Sequence, residues 1–141
     1  MKIISVDYGT KKIGLAISDE LCMVSEKLPV IKTSKVNDQL ALLTFIVMTQ
    51  KPDEIVFGIP YGPKGNITQQ AQIVLDFIEQ FKERISLTNP DAKIVTWDET
   101  YTSKRAEKGK SKRYKHNKSD SEAARLFLQQ YLDWRGENST D

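Results

Sequence analysis

Lys2-Ile3-Ile4-Ser5-Val6-Asp7-Tyr8-Gly9-Thr10-Lys11-Lys12-Ile13-Gly14-Leu15-Ala16-Ile17-Ser18 is the stretch that decides the fold. Lys2 to Val6 has the Ile and Val content of a buried strand and ends abruptly at Asp7. Tyr8 to Lys12 reads as a turn. Apolar character resumes from Ile13 to Ser18, which predicts a hairpin partner, with Gly14 allowing close backbone approach.

Working outward, a third strand is expected near Leu28 to Lys32. From Val36 to Gln50, Leu40, Leu43, Ile46 and Val47 recur at helical spacing, and Lys51-Pro52-Asp53 stops the helix. Glu54 to Pro60 is a fourth strand that closes in a Gly/Pro-rich loop from Tyr61 to Asn66. Ile67, Ala71, Val74, Leu75, Ile78 and Phe81 form the stripe of a second helix, broken at Asn89-Pro90-Asp91 before a strand from Lys93 to Trp97. Ala123, Ala124, Phe127, Leu128, Tyr131 and Leu132 define a terminal helix, for which Ser119 and Glu122 match a capping box. The order βββαβαβα predicts an α/β domain, a mixed sheet flanked by helices.

At 141 residues the chain is long enough for one core and too short for two clamping lobes. One domain is expected over residues 1–135, with a basic flexible segment near 104–118 and a frayed tail at 136–141. No run approaches the roughly 18 apolar residues of a membrane span, and no signal-peptide pattern precedes the first strand, so a cytoplasmic protein without membrane contact is expected.

Cys22 is the only cysteine and His116 the only histidine. Disulfide frameworks, zinc clusters and Cys/His nucleophile pairs therefore lack their parts, and any metal must be held by oxygen. The formal charge of +2 hides an uneven distribution. Between Lys104 and Lys118 stand eight basic residues, among them Lys104, Arg105, Lys112 and Arg113, against the single acid Glu107. The rest of the chain is net acidic. A concentrated basic segment points to a polyanionic partner, because local charge governs phosphate attraction more than net charge does.

Asp7 ends an apolar strand, where an ionised carboxylate needs a cation, turn amides or solvent. A turn-bonding role and a catalytic role are equally compatible with that position. Asp120 falls on the helical face of Ala123, Ala124, Phe127, Leu128, Tyr131 and Leu132, so it faces the core side, although the helix dipole alone favours a first-turn Asp. Asp98 and Glu99 are neighbours at an extended chain end and point to opposite faces, so one of the two looks toward Asp7. Three carboxylates from two strand ends and a helix start, meeting at a sheet edge, form an oxygen-only cage suited to Mg2+ or Mn2+. Such a two-metal site hydrolyses a phosphodiester without a protein nucleophile. Lys11, Lys12 and the basic segment would then position the phosphates without reading sequence.

Val6-Asp7-Tyr8-Gly9-Thr10-Lys11-Lys12-Ile13-Gly14-Leu15-Ala16, Gly58-Ile59-Pro60, Trp97-Asp98-Glu99 with Thr102-Ser103, and Asp120 before Ala123-Ala124 together resemble the YqgF/RuvX family of Holliday junction resolvase-like proteins. The resemblance spans nearly the whole chain. It implies a ribonuclease H-like fold with a five-stranded mixed sheet and a metal-dependent nuclease site at Asp7, Glu99 or Asp98, and Asp120. It also implies two substrates, branched DNA junctions and the precursor of 16S ribosomal RNA at its 5′ end. The chain departs from the family at Thr100, where an Arg is usual, and in the lysine-rich segment before Asp120.

Other positions carry weaker expectations. The loop from Tyr61 to Asn66, Gln69 and Gln72 are compatible with a substrate groove and equally with ordinary surface polarity. Trp97 and Trp134 are compatible with base stacking, but a strand pattern favours core for Trp97 and a helix end favours packing for Trp134. One rival function is a non-catalytic nucleic-acid-binding or ribosome-associated module. Another is an ATP-dependent phosphotransferase, whose first phosphate loop resembles Asp7-x-Gly9-Thr10 with Gly14, but which needs a second lobe. Monomer and homodimer are both compatible with the sequence.

Overall fold

The computed structural model describes residues 1–99 and 121–138. Five strands, β1 (Ile3–Asp7), β2 (Lys12–Ser18), β3 (Ser25–Lys32), β4 (Glu54–Ile59) and β5 (Lys93–Asp98), form one sheet in the order β3-β2-β1-β4-β5. The first three pair antiparallel, whereas β1 with β4 and β4 with β5 pair parallel. Helices α1 (Val36–Gln50), α2 (Gln69–Thr88) and α3 (Glu122–Glu137) complete the βββαβαβα order that the sequence predicts.

The central strands β1 and β4 are covered on both faces, which is why they read as continuous apolar runs. One face packs on α1 and α2 through Ile4, Val6, Phe57, Phe77 and Phe81. The other packs on α3 through Ile3, Ala16, Val56, Phe127 and Leu128. Among the described residues no helix is long and apolar enough to cross a membrane.

The end of α1 falls where the sequence places it, and several other boundaries differ from expectation. Lys51, in left-handed conformation at φ 52°, donates its backbone N–H to Val47 O, so α1 stops where Pro52 requires. Strand β3 begins at Ser25, earlier than Leu28, because residues 25–28 are held by pairing to β2. Helix α2 begins at Gln69, capped by Thr68 Oγ1, which accepts from Ala71 N at 3.0 Å. Ile67 therefore lies outside the stripe and is exposed, while Phe77 and Ile85 join it. Helix α3 begins at Glu122 with Ser121 in the N-cap position, so Glu122 is not the third helical residue that the Ser119–Glu122 capping box required. At the other end α3 continues through Gly136 to Glu137, past the expected boundary at 135, and Asn138 Nδ2 donates back to Trp134 O.

Candidate carboxylate site

Alternation along the sheet settles which side chains meet. Ile3 and Ser5 of β1 face α3, the latter donating its hydroxyl to Ala124 O at 2.8 Å, so Asp7, next in the period of two, faces the same way. Val95 and Trp97 of β5 also pack on the α3 side. Glu99, directly after the strand, reaches the same side, its Oε2 standing where a Gly58 side chain would be, while Asp98 alternates away from Trp97 within β5. The ambiguity between Asp98 and Glu99 is thereby resolved: the Asp7 and Glu99 side chains hydrogen bond to each other, and Asp98 is a more distant charge.

Between them lies β4, and it makes room with a glycine. A Cβ on Gly58 would stand 3.2 Å from Glu99 Oε2 and 3.1 Å from Phe127 Cε2. Gly58 shares the α3 face with Val56, and its missing side chain is the space in which the Glu99 carboxylate sits against the Phe127 ring. Burial near this ring is the main cause that raises Glu99 to about pH 8, followed by the Asp7 charge and hydrogen bond and then by Asp98. Burial likewise holds Asp7 above the usual carboxylate range, with the Glu99 hydrogen bond opposing it. Two carboxylates in hydrogen-bond contact need a proton between them, so near neutral pH the bare pair shares one.

The turn after Asp7 is clamped from α1. Tyr8 donates its hydroxyl to Gln39 Oε1 at 2.9 Å and stacks on Phe77 with centroids 4.2 Å apart. Gln39 Nε2 donates to the carbonyls of Gly9, Thr10 and Thr33. A Cβ on Gly9 would meet Lys12 O at 2.6 Å, so the turn closes this tightly only with glycine there. Lys11 is exposed in the turn, and alternation with Gly14 and Ala16 puts Lys12 on the face of Asp7.

A second tie holds the start of α3 to the sheet. Between Ile13 and Leu15 the β2–β3 register shifts, opposite Pro29, which has no N–H to donate. Ser121 Oγ fills that gap, accepting from Leu15 N at 2.9 Å and donating to Leu28 O at 2.7 Å. Leu15 follows Gly14, the Cα partner of Asp7. Ser121 and Gln39 were not singled out from sequence, and Gly58 stood out only as part of the Gly58-Ile59-Pro60 motif, because the role of each is defined by partners on distant elements.

Asp120, Lys104, Arg105, Lys112 and Arg113 lie outside the described residues. Among the described residues no group of three or more metal-ligating side chains gathers. The Asp7–Glu99 pair nevertheless fits a hard divalent cation: both donors are carboxylates, and a cation can replace the proton they share.

Comparison with known proteins extends these observations. The RuvX family, described as Holliday junction resolvase, matches residues 1–134. A protein of Desulforamulus reducens described as "Putative pre-16S rRNA nuclease" is 36% identical over 142 residues, covering 94% of this chain and 97% of its own. A protein of Syntrophus aciditrophicus with the same description is 30% identical over 138 residues, covering 94% and 89%. T. thermophilus RuvC, solved in complex with a Holliday junction substrate, matches with TM-score 0.65 at 12% identity over 96% of each chain. At that identity the likeness establishes the fold, which is ribonuclease H-like.

Proposed function

Because this chain belongs to the RuvX family, matched over residues 1–134, we propose that it is a metal-dependent nuclease that hydrolyses phosphodiester bonds in structured nucleic acid. The observation that carries this is the Asp7–Glu99 pair, two half-buried carboxylates from strand ends on either side of β4, brought into hydrogen-bond contact over Gly58. Such a pair has no structural advantage over an apolar contact, since burying like charges costs stability. A site for a cation accounts for it.

Asp7 and Glu99 would hold Mg2+ or Mn2+, with Asp120 as the third carboxylate. A divalent metal, or two, supplies an activated water and charge stabilisation at the phosphorus. The chain itself orients this chemistry. Gln39 and Tyr8 fix the turn that follows Asp7, and the Phe127 ring and Gly58 fix Glu99. Lys11 and Lys12 contact phosphates beside the cut, and Lys104, Arg105, Lys112 and Arg113 extend that contact. Cleavage adds water across a P–O bond, leaving one phosphate end and one hydroxyl end.

The substrate proposed first is precursor 16S ribosomal RNA, because relatives that match nearly end to end are described as putative pre-16S rRNA nucleases; cleavage at its 5′ end, in the cytoplasm, is what the family resemblance adds. Branched DNA is the second, on the family's own description. The test is cleavage of a labelled precursor leader and a four-way DNA junction, by the parent protein and Asp7→Asn, with Mg2+, Mn2+ or EDTA. Metal-dependent cleavage by the parent alone supports the nuclease and names its substrate. No cleavage by either protein, with binding retained, replaces it with a non-catalytic binding module.

A further inference from the structure

Among the described residues strand β5 is an edge of the sheet, and an open groove of about 640 Å³ runs between it and the C-terminal half of α3. Its lining is aromatic. Trp97 lies edge-on to Tyr131 with centroids 5.3 Å apart and 5.6 Å from Trp134, and Tyr131 stacks on Trp134 at 6.0 Å. Trp134 is 48% exposed. Among the described residues the buried Trp97 Nε1 has no hydrogen-bond partner, a donor whose desolvation they leave uncompensated. Glu54 accepts from Tyr131 and pairs with Arg135 at 3.5 Å, so the one acid of the lining is neutralised. Exposed Lys93 then leaves the groove positive.

The groove also has a direction. Trp97 and Glu99 both lie on the α3 side and are two residues apart, which puts their Cα atoms no more than about 7 Å from each other. A ligand with flat apolar faces, hydrogen-bond acceptors on its edge and an attached negative charge matches this lining, and an unpaired nucleobase with its phosphate has all three. We infer that the groove between β5 and α3 holds an unpaired base of the nucleic-acid strand whose neighbouring phosphate lies at the Asp7–Glu99 pair. The base stacks on Trp134, and an acceptor on its edge accepts a hydrogen bond from Trp97 Nε1–H. The placement of the phosphate rests on the nuclease function proposed above, whereas base binding in the groove does not.

The protein contains two tryptophans, and both line this groove, so its intrinsic fluorescence reports on it. The full chain is titrated in EDTA with a 12-nucleotide single-stranded RNA and with an abasic strand of the same backbone length. The expected result is saturable quenching by the RNA and none by the abasic strand. Trp134→Ala, at a half-exposed position, should weaken RNA binding about tenfold, and Trp97→Phe, which keeps the ring and removes the donor, should weaken it severalfold. Quenching that the abasic strand reproduces, no quenching at all, an unchanged affinity in Trp134→Ala, or emission that shifts only with protein concentration, as for a second copy in the groove, would each overturn the inference. Quenching by a parent protein that cleaves nothing would leave the groove in place and remove the nuclease.

Discussion

The two faces of the sheet are built on different principles. The face under α1 and α2 is large and apolar, with Phe57, Phe77 and Phe81 packed ring against ring. The face under α3 is smaller and interrupted by polar groups: Ser5, Ser121 and Glu54 are buried there, and Asp7 and Glu99 meet at its upper end. On the first face side chains serve packing, apart from Tyr8 and Gln39, which clamp the turn after Asp7. On the second, apolar contact is given up where a hydroxyl or carboxylate must be held in place. Stability and site geometry are thus separable, and substitutions on the two faces should part them.

The largest effect is expected at Asp7. Asp7→Asn should lower metal-dependent cleavage by more than about a hundredfold, beyond the range for groups one step removed from a metal ligand, while substrate binding measured by gel shift persists. Next is Phe81→Ala, which should cost about 3–5 kcal/mol in urea unfolding and leave cleavage per folded molecule unchanged. Equal losses of activity and stability at Phe81 would break the division between the faces. Gly58→Ala should do the reverse, displacing Glu99 and Phe127 at 3.1 to 3.2 Å. Activity should fall about 10–100-fold, with a stability cost of about 1–3 kcal/mol from crowding.

A smaller effect is expected from pH. The folded protein raises Glu99 from 4.5 to about 8 and raises Asp7 as well. Between the unfolded and folded values the native state binds more protons than the unfolded chain, so without metal the pair's contribution to stability falls as pH rises from about 4.5 to 8. Thermal unfolding in EDTA should show a downward Tm trend across that window that Asp7→Asn makes shallower, and Mg2+ at pH 8 should restore several degrees. Identical pH profiles for the two proteins would contradict the shared proton. The smallest effect is that of Ser121→Ala. It leaves Leu15 N–H and Leu28 O without their partner, at about 1–3 kcal/mol by denaturant unfolding.

Much of this was legible from residues alone. The β1–β2 hairpin, the stop of α1 at Lys51-Pro52 and the apolar stripe of α3 follow from local pattern, because strand and helix periods and proline geometry act within a few residues. Asp7 stood out because an acid at the end of an apolar strand is locally anomalous. The Ser119–Glu122 box failed for the converse reason. Its spacing fits a helix start, but Ser121 is taken up by the gap opposite Pro29, and no local pattern shows that gap.

The sequence by itself determined the α/β order, the oxygen-only chemistry open to a metal and the acids that compete to supply it, since these depend on composition and short-range period. Only the tertiary structure decided that Glu99, not Asp98, meets Asp7. Alternation says that the two point apart, but which face carries which depends on where α3 packs and on how β4 separates β1 from β5. The need for glycine at position 58 was decided in the same way. Its cause is a carboxylate 41 residues away and a ring 69 residues away, partners that sequence spacing does not reveal and that meet only when the sheet closes against α3.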